Sequence, residues 1–538
     1  MGNRQYWLWP LAAWALFASL ALSLTHGAIA LDTDSAMRLV QVRDLLHGQS
    51  WFDTAQHRMN TPYGLSMHWS RLADAPLALL MQVSEKFALT AWPLLLFLVV
   101  LLLLARIAAA LAGTRAIVPV LALALLCSGL YATFAPGNID HHGQQLVLML
   151  AALLCVVERR PVPGAAVVAL GLGVGLESLP YALAAIVFWA FDQEKSRSFG
   201  LALAGMALLL LAGTTASAYR FIPVCDTYSL FYAALLGAGG LGIAMVSFLP
   251  RYRLAALCVL ALVLVALAAM LNPVCLAGPY AGMDAQLKLI FLDRINEARP
   301  VWSFFALAPA QVVGGYLYAA FALALCALAP PGRARLVVMG FTAVALLVAT
   351  FQYRGVNFAL LFALPGLAAA LVRLTAQRSL VWLAAAILVS NGGAFTLAGA
   401  IAEGQDRVAL RAMRFAAQEV CGQEPVLAAL KALPPGRVAA FVDQGPAILA
   451  YTGDSVVAGP YHRDGAGILD SYAIFAGADP HAVLQKRGID YLMTCRAAPD
   501  WDFYREHGGL IAQLVAGRVP AWLMPVGRSG AVELYKVR

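Results

Sequence analysis

Apolar runs long enough to cross a bilayer recur from Tyr6 to about Ala400, each closed by a short polar stretch. They predict helices near 6–30, 88–105, 116–135, 144–158, 164–176, 179–192, 199–218, 227–249, 254–271, 306–329, 335–352, 356–372 and 379–400, thirteen spans in all. The stretch 164–192, interrupted by Glu177-Ser-Leu-Pro180, also reads as one long helix. With the N-terminus in the cytoplasm, the inside loops hold Arg106 and Arg115, Arg159 and Arg160, Lys195 and Arg197, Arg251 and Arg253, Arg333 and Arg335, and Arg373 and Arg378. Every pair obeys the positive-inside rule. An odd number of spans then puts the C-terminus outside, together with the polar stretches 31–75, 136–143 and 272–305. The first run ends in Ala28-Ile-Ala30, which resembles a cleavage site, but it exceeds the roughly 7–15 residues of a signal core and reads as an uncleaved anchor.

From about Glu403 the apolar runs shorten to strand length. Arg437–Val442, Gly488–Met493 and Ala531–Val537 read as strands, and 407–420, 424–432 and 480–487 as helices. The expected organisation is a polytopic α-helical membrane domain, 1–402, with outer loops 31–75 and 272–305, followed by a soluble α/β domain, 403–538, on the outer face. Composition agrees with a membrane protein: 61% of the 538 residues are hydrophobic and 12% charged. The net charge of +8 sits in the short inside loops, with no basic cluster interleaved with aromatics, which argues against nucleic acid. Cys127, Cys155, Cys258 and Cys326 fall within spans. Cys225, Cys275, Cys421 and Cys495 lie outside, where 225–275 and 421–495 read either as bridges or as isolated thiols.

The polarity that changes this picture is concentrated on the outer side. Residues 31–76 carry five Asp, four Arg, three His and two Trp between apolar runs, a density that points to chemistry at the membrane surface. Asp32 and Asp34 are spaced as oxygen ligands for a divalent metal, or as the cap of an amphipathic segment Ser35–His47 whose Met37, Val40 and Leu45 form an interfacial face. In Asn138-Ile-Asp140-His-His142, Asp140 and His142 make an oxygen and nitrogen metal pair, or a helix cap. The long loop Asn272–Phe305 holds Glu297, a general base or a hydrogen-bond acceptor for a nucleophile, or an ordinary surface glutamate. Arg354 departs from the inside placement of arginine and suits a phosphate bidentately, or a loop carboxylate.

In the order of these motifs the chain resembles the catalytic subunit of oligosaccharyltransferases, within the GT-C superfamily of polytopic glycosyltransferases. Asp34-Ser-Ala-Met-Arg38 is similar to that family's first-loop carboxylate and arginine, and Thr61-Pro-Tyr-Gly64 with His68-Trp69 to its continuation. Asp140-His-His142 looks like the second metal motif, Ile295-Asn-Glu297-Ala-Arg-Pro300 the outer-loop glutamate motif, and Arg354 the arginine for the lipid-linked pyrophosphate. The family's thirteen spans and outer C-terminal domain agree with the pattern. One departure stands in that domain. Where the family carries W-W-D-x-G to read a sequon, this chain has Phe441-Val-Asp443-Gln-Gly445, with Pro460-Tyr-His462-Arg463-Asp464 and Asp470 nearby.

The resemblance implies a GT-C glycosyltransferase that moves a sugar or oligosaccharide from a polyprenyl-(pyro)phosphate donor to a glycan, lipid or protein acceptor, in the periplasmic face of a bacterial inner membrane. Asp34, Asp140 and His142 would hold Mg²⁺ or Mn²⁺, Arg354 the donor phosphate, and Glu297 the acceptor. Asp32 is the reserve carboxylate, and His68, Trp69, Asp443, His462 and Arg463 are acceptor or loop candidates. The rival within the superfamily uses a monophosphate-linked monosaccharide. A rival of another class, a lipid or solute transporter, needs ionisable groups within the spans, and Glu177 is the exception that would serve it.

Overall fold

The computed structural model describes residues 2–25, 29–278, 280–375, 385–386, 388–404, 407 and 420–538. The chain divides into two compact units: segments 1–29, 69–281 and 296–404 form a helical unit, and segments 30–68, 282–295 and 405–538 form an α/β unit.

The helical unit is built from the apolar runs. Among the described residues seven helices are long and apolar enough to cross a membrane, eight if one bent pair counts as a span. Four shorter apolar helices accompany them: His141–Val157, Pro161–Val174, Leu176–Phe191 and Leu230–Val246. Burial separates the centre of the unit from its rim. Gly355–Leu374, rich in Ala and Gly, is 94% buried, whereas only 6% of Pro250–Leu271 is buried although it is apolar on every side. A helix of that kind is stable only where the solvent is lipid. The molecule is a polytopic α-helical membrane protein.

Two breaks in the helices place polar groups. The run predicted as one helix over 116–135 is bent by 73° between Thr114–Leu125 and Ser128–Phe134. Asn391 stabilises the break, its Oδ1 accepting from the Ser128 amide at 3.1 Å and the Ser128 hydroxyl at 2.8 Å. The second break resolves the ambiguous stretch 164–192 into Pro161–Val174 and Leu179–Phe191, joined by a single turn, Leu176–Ser178, that carries Glu177. The span expected over 379–400 and the helix expected over 407–420 lie largely outside the described residues.

In the α/β unit, strands β1 (Ala55–Gln56) and β2 (Leu65–Ser66) form a small antiparallel hairpin. The main sheet contains β3 (Arg437–Ala439), β4 (Ser455–Val456), β5 (Tyr491–Cys495), β6 (Leu523–Ser529) and β7 (Val532–Val537) in the order β4-β3-β5-β7-β6. The strand β3 is parallel to β4 and β5, and β7 is antiparallel to β5 and β6. Helices return the chain between parallel strands, Gly445–Tyr451 after β3 and Gly465–Ala476 with Pro480–Arg487 after β4, as parallel pairing requires. All five residues of β5 are buried, Thr494 among them, as in a strand covered on both faces. The patterned strands β3, β5 and β7 were legible; β4 and β6 were not, the first having two residues and the second containing Pro525 and Gly527 at a register shift. Disulfides join Cys225 to Cys275 and Cys421 to Cys495, settling the choice between bridges and thiols.

Segment 30–68, expected as an outer loop of the membrane domain, is threaded into the α/β unit. The Thr61 amide donates to the Val456 carbonyl at 2.9 Å and the Val456 amide to the Arg58 carbonyl at 2.8 Å. Arg58 donates to the carbonyls of Leu449, Thr452 and Asp454 at 2.9, 3.1 and 3.1 Å. Arg487, buried, binds Asp470 at 2.7 Å, the Thr61 carbonyl at 2.8 Å and Asn60 Oδ1 at 3.0 Å. Helix Thr33–Leu46 buries Met37 and Val40 in this unit, so the face read as interfacial is packed against protein.

Candidate active site

Three helices of the helical unit run between a polar end and a basic end. His141–Val157 starts at Asp140 and stops at Glu158, Leu179–Phe191 starts after Glu177 and stops at Asp192, and Arg333–Phe351 runs the other way to the turn bearing Arg354. At the basic end Asp192 takes Arg159 at 2.8 Å and Arg333 at 3.1 Å, and Glu158 takes Arg106 at 2.6 Å. The 19 residues of Arg333–Phe351 separate the ends by about 28 Å at a rise of ~1.5 Å per residue. That is close to the thickness of a hydrocarbon core.

At the polar end Asp140 caps its helix. Its Oδ1 accepts from the His141 amide at 2.6 Å and lies 2.5 Å from His141 Nδ1, and its Oδ2 lies 3.3 Å from His142 Nε2. Gln145, three residues after His142 and on the same helix face, touches His142 Nδ1 with Oε1 at 3.0 Å and donates from Nε2 to Glu177 Oε2 at 2.8 Å. The other oxygen of Glu177 meets Arg354 Nη1 at 3.4 Å, and Arg354 Nη2 meets Glu297 at 3.0 Å. Main-chain bonds fix the last step: the Arg354 amide donates to the Glu297 carbonyl at 3.0 Å, and the Tyr353 amide to Arg299 at 2.8 Å. Tyr280 adds a phenol hydrogen-bonded to Arg354 in the outer loop. The Trp69 ring packs on His141 with centroids 5.6 Å apart.

The structure therefore joins Asp140, His142, Arg354 and Glu297, separate motifs in the chain, into one path of contacts. Gln145, His141, Gly175 and Glu177 complete it and were missed as site residues. The signal for Gln145 was its spacing from His142. Glu177 was visible in the sequence but read as a transporter's midplane charge; it sits instead in the turn between two helices.

Asp140 and His142 are an oxygen and a nitrogen donor of the kinds a divalent metal takes. Glu177, ion-paired with Arg354, only accepts hydrogen bonds, so the Gln145 amide must turn its NH₂ toward it and its carbonyl toward His142. His142 then donates from Nδ1 to Gln145 Oε1, and its Nε2 faces Asp140 Oδ2 at 3.3 Å. With a metal bound to His142, the Gln145 contact would be its outer-sphere hydrogen bond. Among the described residues no three His, Cys, Asp or Glu side chains cluster as a complete site, so the pair supplies two donors.

The remaining candidates lie in the α/β unit, apart from Trp69. Asp32 caps helix Thr33–Leu46, accepting from the Ser35 amide at 2.7 Å, and Asp34 lies in the first turn of that helix. His68 and His462 pack with ring centroids 4.4 Å apart, and Arg463 donates to the Ser66 carbonyl at 3.3 Å, so these three come together. Asp470 is engaged by Arg487. Asp443 keeps solvent access, yet desolvation by its crowded surroundings and the charge of Asp500 push its carboxyl up to about 7, with Arg294 pulling against. Arg294 stacks 3.7 Å above the Phe503 ring. Nothing in the sequence linked Asp500 to Asp443.

Fold and charge placement together define a class: the chain has the GT-C fold of polytopic membrane glycosyltransferases. Particular solved structures share it. The apo oligosaccharyltransferase of Archaeoglobus fulgidus superposes with a TM-score of 0.66 over 94% of this chain and 71% of that one, at 13% identity. The same organism's oligosaccharyltransferase AglB, in complex with an inhibitory peptide and a dolichol-phosphate, gives 0.63 over 91% and 69%, at 13% identity. A complex of the archaeal enzyme with Zn and sulfate gives 0.55 over 90% and 68%, at 14% identity. No protein-family model and no curated protein matches the chain.

Proposed function

We propose that this chain is a membrane glycosyltransferase that moves a sugar or oligosaccharide from a polyprenyl-(pyro)phosphate donor to an acceptor at the periplasmic face of a bacterial inner membrane. The observation that carries the reading is the unbroken path from the Asp140–His142 pair through Gln145, Glu177 and Arg354 to Glu297. It brings together, at one end of the spans, a carboxylate and imidazole, a guanidinium and a second carboxylate, which this reading assigns to the metal, the donor phosphate and the acceptor.

Arg354 binds the donor phosphate through its planar fork, a match that a point-charge lysine does not reproduce. Glu297 accepts a proton or hydrogen bond from the acceptor and aligns its nucleophile on the anomeric carbon. Asp34, Asp140 and His142 would hold a divalent cation, Mg²⁺ or Mn²⁺, which would supply positive charge to the leaving phosphate. Asp32 serves the helix cap, which leaves Asp34 as the first-loop ligand. His68, His462, Arg463, Trp69 and Asp443 are assigned to the acceptor side. Without the paired tryptophans of the sequon motif, the acceptor is a glycan or lipid as readily as a protein.

The dolichol-phosphate bound by the archaeal enzyme supports the polyprenyl donor, and the Zn and sulfate of its other complex support a metal and an anion. The arginine-rich end, opposite the site, supports a cytoplasmic N-terminus and a periplasmic site. The two disulfides agree with an oxidising compartment for the outer loops and the α/β unit.

The test is transfer from a radiolabelled polyprenyl-linked glycan pool in membranes, with and without EDTA, for the unsubstituted protein and Asp34→Ala. Loss in both treatments is expected. Transfer that survives EDTA but not Asp34→Ala points to the monophosphate-donor rival, and no transfer above empty membranes removes the reading.

A further inference from the structure

In the α/β unit the chain enters the main sheet at β3, turns to β4 on one side and returns to β5 on the other, so the strand order reverses at β3. Parallel strands bind ligands beyond their carboxyl ends at such a reversal, because the chain leaves the neighbouring strands in different directions there and a crevice opens between the loops. Asp443 and Gln444 lie in the turn Val442–Gln444 that follows β3. Asp500 lies in the first turn of helix Pro499–His507, which follows β5. The two carboxylates therefore belong to the two loops that border the reversal.

Arg294 reaches the same place from segment 282–295, its guanidinium 3.7 Å above the ring of Phe503 on that helix. It acts electrostatically on both Asp443 and Asp500, yet among the described residues it is ion-paired with neither. Opposite charges that feel each other without touching keep their donors and acceptors for a third group. Gln444, only 4% exposed, likewise has both amide atoms without a partner among the described residues, which is costly while unmet. Tyr472, its ring centroid 6.2 Å from that of Phe503, adds half-buried apolar surface. Desolvation raises both carboxyls, that of Asp443 to about 7 with the charge of Asp500 adding to it.

Two carboxylates oppose an anion and a guanidinium opposes a cation, whereas a neutral molecule with several hydroxyls donates to the first and accepts from the second. The C–H face of a sugar ring also suits aromatic surface. We infer that Asp443, Gln444, Asp500 and Arg294 form a carbohydrate subsite at the β3–β5 reversal of the α/β unit. Its use as the acceptor subsite rests on the transferase reading above and makes the acceptor a glycan; sugar binding itself does not depend on that reading.

Saturation-transfer difference NMR on the detergent-purified full chain, with the methyl glycosides of glucose, galactose, mannose, rhamnose and arabinose as probes, tests the subsite. At least one glycoside is expected to take up saturation, and Asp443→Asn and Asp500→Asn are each expected to weaken its binding about tenfold or more, the scale of a lost charged hydrogen bond. Asp502→Asn is the control: it lies on the same helix but pairs with Arg505 at 3.1 Å, and is expected to bind as the unsubstituted protein does. Asparagine keeps the shape of the side chain and removes a repelling charge, so unfolding temperatures are expected to stay close to that of the unsubstituted protein. No saturation of any glycoside overturns the inference. So does binding that Asp443→Asn and Asp500→Asn leave unchanged, or that falls equally with Asp502→Asn. Weakening accompanied by early unfolding in both variants also overturns it. Glycoside binding by a chain that transfers no sugar removes the transferase reading and leaves the subsite; transfer without glycoside binding removes the subsite and leaves the reading.

Discussion

Arg354 is shared between two carboxylates, Glu177 at 3.4 Å and Glu297 at 3.0 Å, so a phosphate reaching this guanidinium competes with groups already there. The geometry favours release of Glu297, which is the more exposed and sits on a loop turn, and its release frees it for the acceptor. Arg354→Lys, which keeps the charge but loses the fork, is expected to weaken donor binding roughly tenfold or more, the scale of a lost charged hydrogen bond; titration with undecaprenyl phosphate checks this. A second residue-scale prediction concerns stability. Burial pushes the Asp464 carboxyl up to about 8, against the amides of Gly459 and Gly467 and the field of Arg487, which pull it down. Its ordinary unfolded value is about 3.9. The folded form therefore holds the extra proton between those values, and its stabilising contribution, complete below about 4, is lost as pH rises toward 8. Asp464→Asn is expected to flatten that part of the pH dependence of unfolding of the full chain. These residues show where the sequence was readable. Asp140, His142, Glu297 and Arg354 stand out by charge beside apolar runs, whereas the contacts of Gln145 with His142 and Glu177 exist only once two helices meet.

Helix Thr33–Leu46 begins with two carboxylates in different settings. Asp32 spends its oxygen on the Ser35 amide, and Asp34 stands inside the first turn. Asp32→Asn, a good cap, is expected to retain transfer. Asp32→Ala should cost about 1 kcal/mol of helix stability and lower activity partially, while Asp34→Ala abolishes it; membrane transfer assays on the three variants rank them. The sheet makes a different demand. The last strand in the chain, β7, lies between β5 and β6, so removing residues 532–538 strips hydrogen bonds from both neighbours. Limited proteolysis of the truncated full chain is expected to degrade the α/β unit while the helical unit persists. At this scale the long apolar helices and the patterned strands were legible. The helix break at Cys127 was not, because Asn391, which caps it, is contributed by a segment far along the chain.

The whole molecule sorts its cysteines as it sorts its charges. Cys225–Cys275 and Cys421–Cys495 are bridged, while Cys127, Cys155, Cys258 and Cys326 remain free within the apolar runs. In intact spheroplasts treated with a reductant, a membrane-impermeant maleimide is expected to label the four bridging cysteines from outside; labelling only after lysis would invert the topology. The domain plan was legible in outline, since composition changes sharply at Glu403. Its membership was not, because Arg58 and Arg487 recruit residues 30–68 by binding backbone carbonyls, and carbonyls leave no trace in a sequence. That recruitment has a consequence for the life of the nascent chain. Segment 30–68 leaves the ribosome early, and the strands that receive it follow only after residue 405. At about 5–20 residues per second, the helix bearing Asp34 waits tens of seconds for its partner, with Met37, Val40 and their neighbours unsheltered.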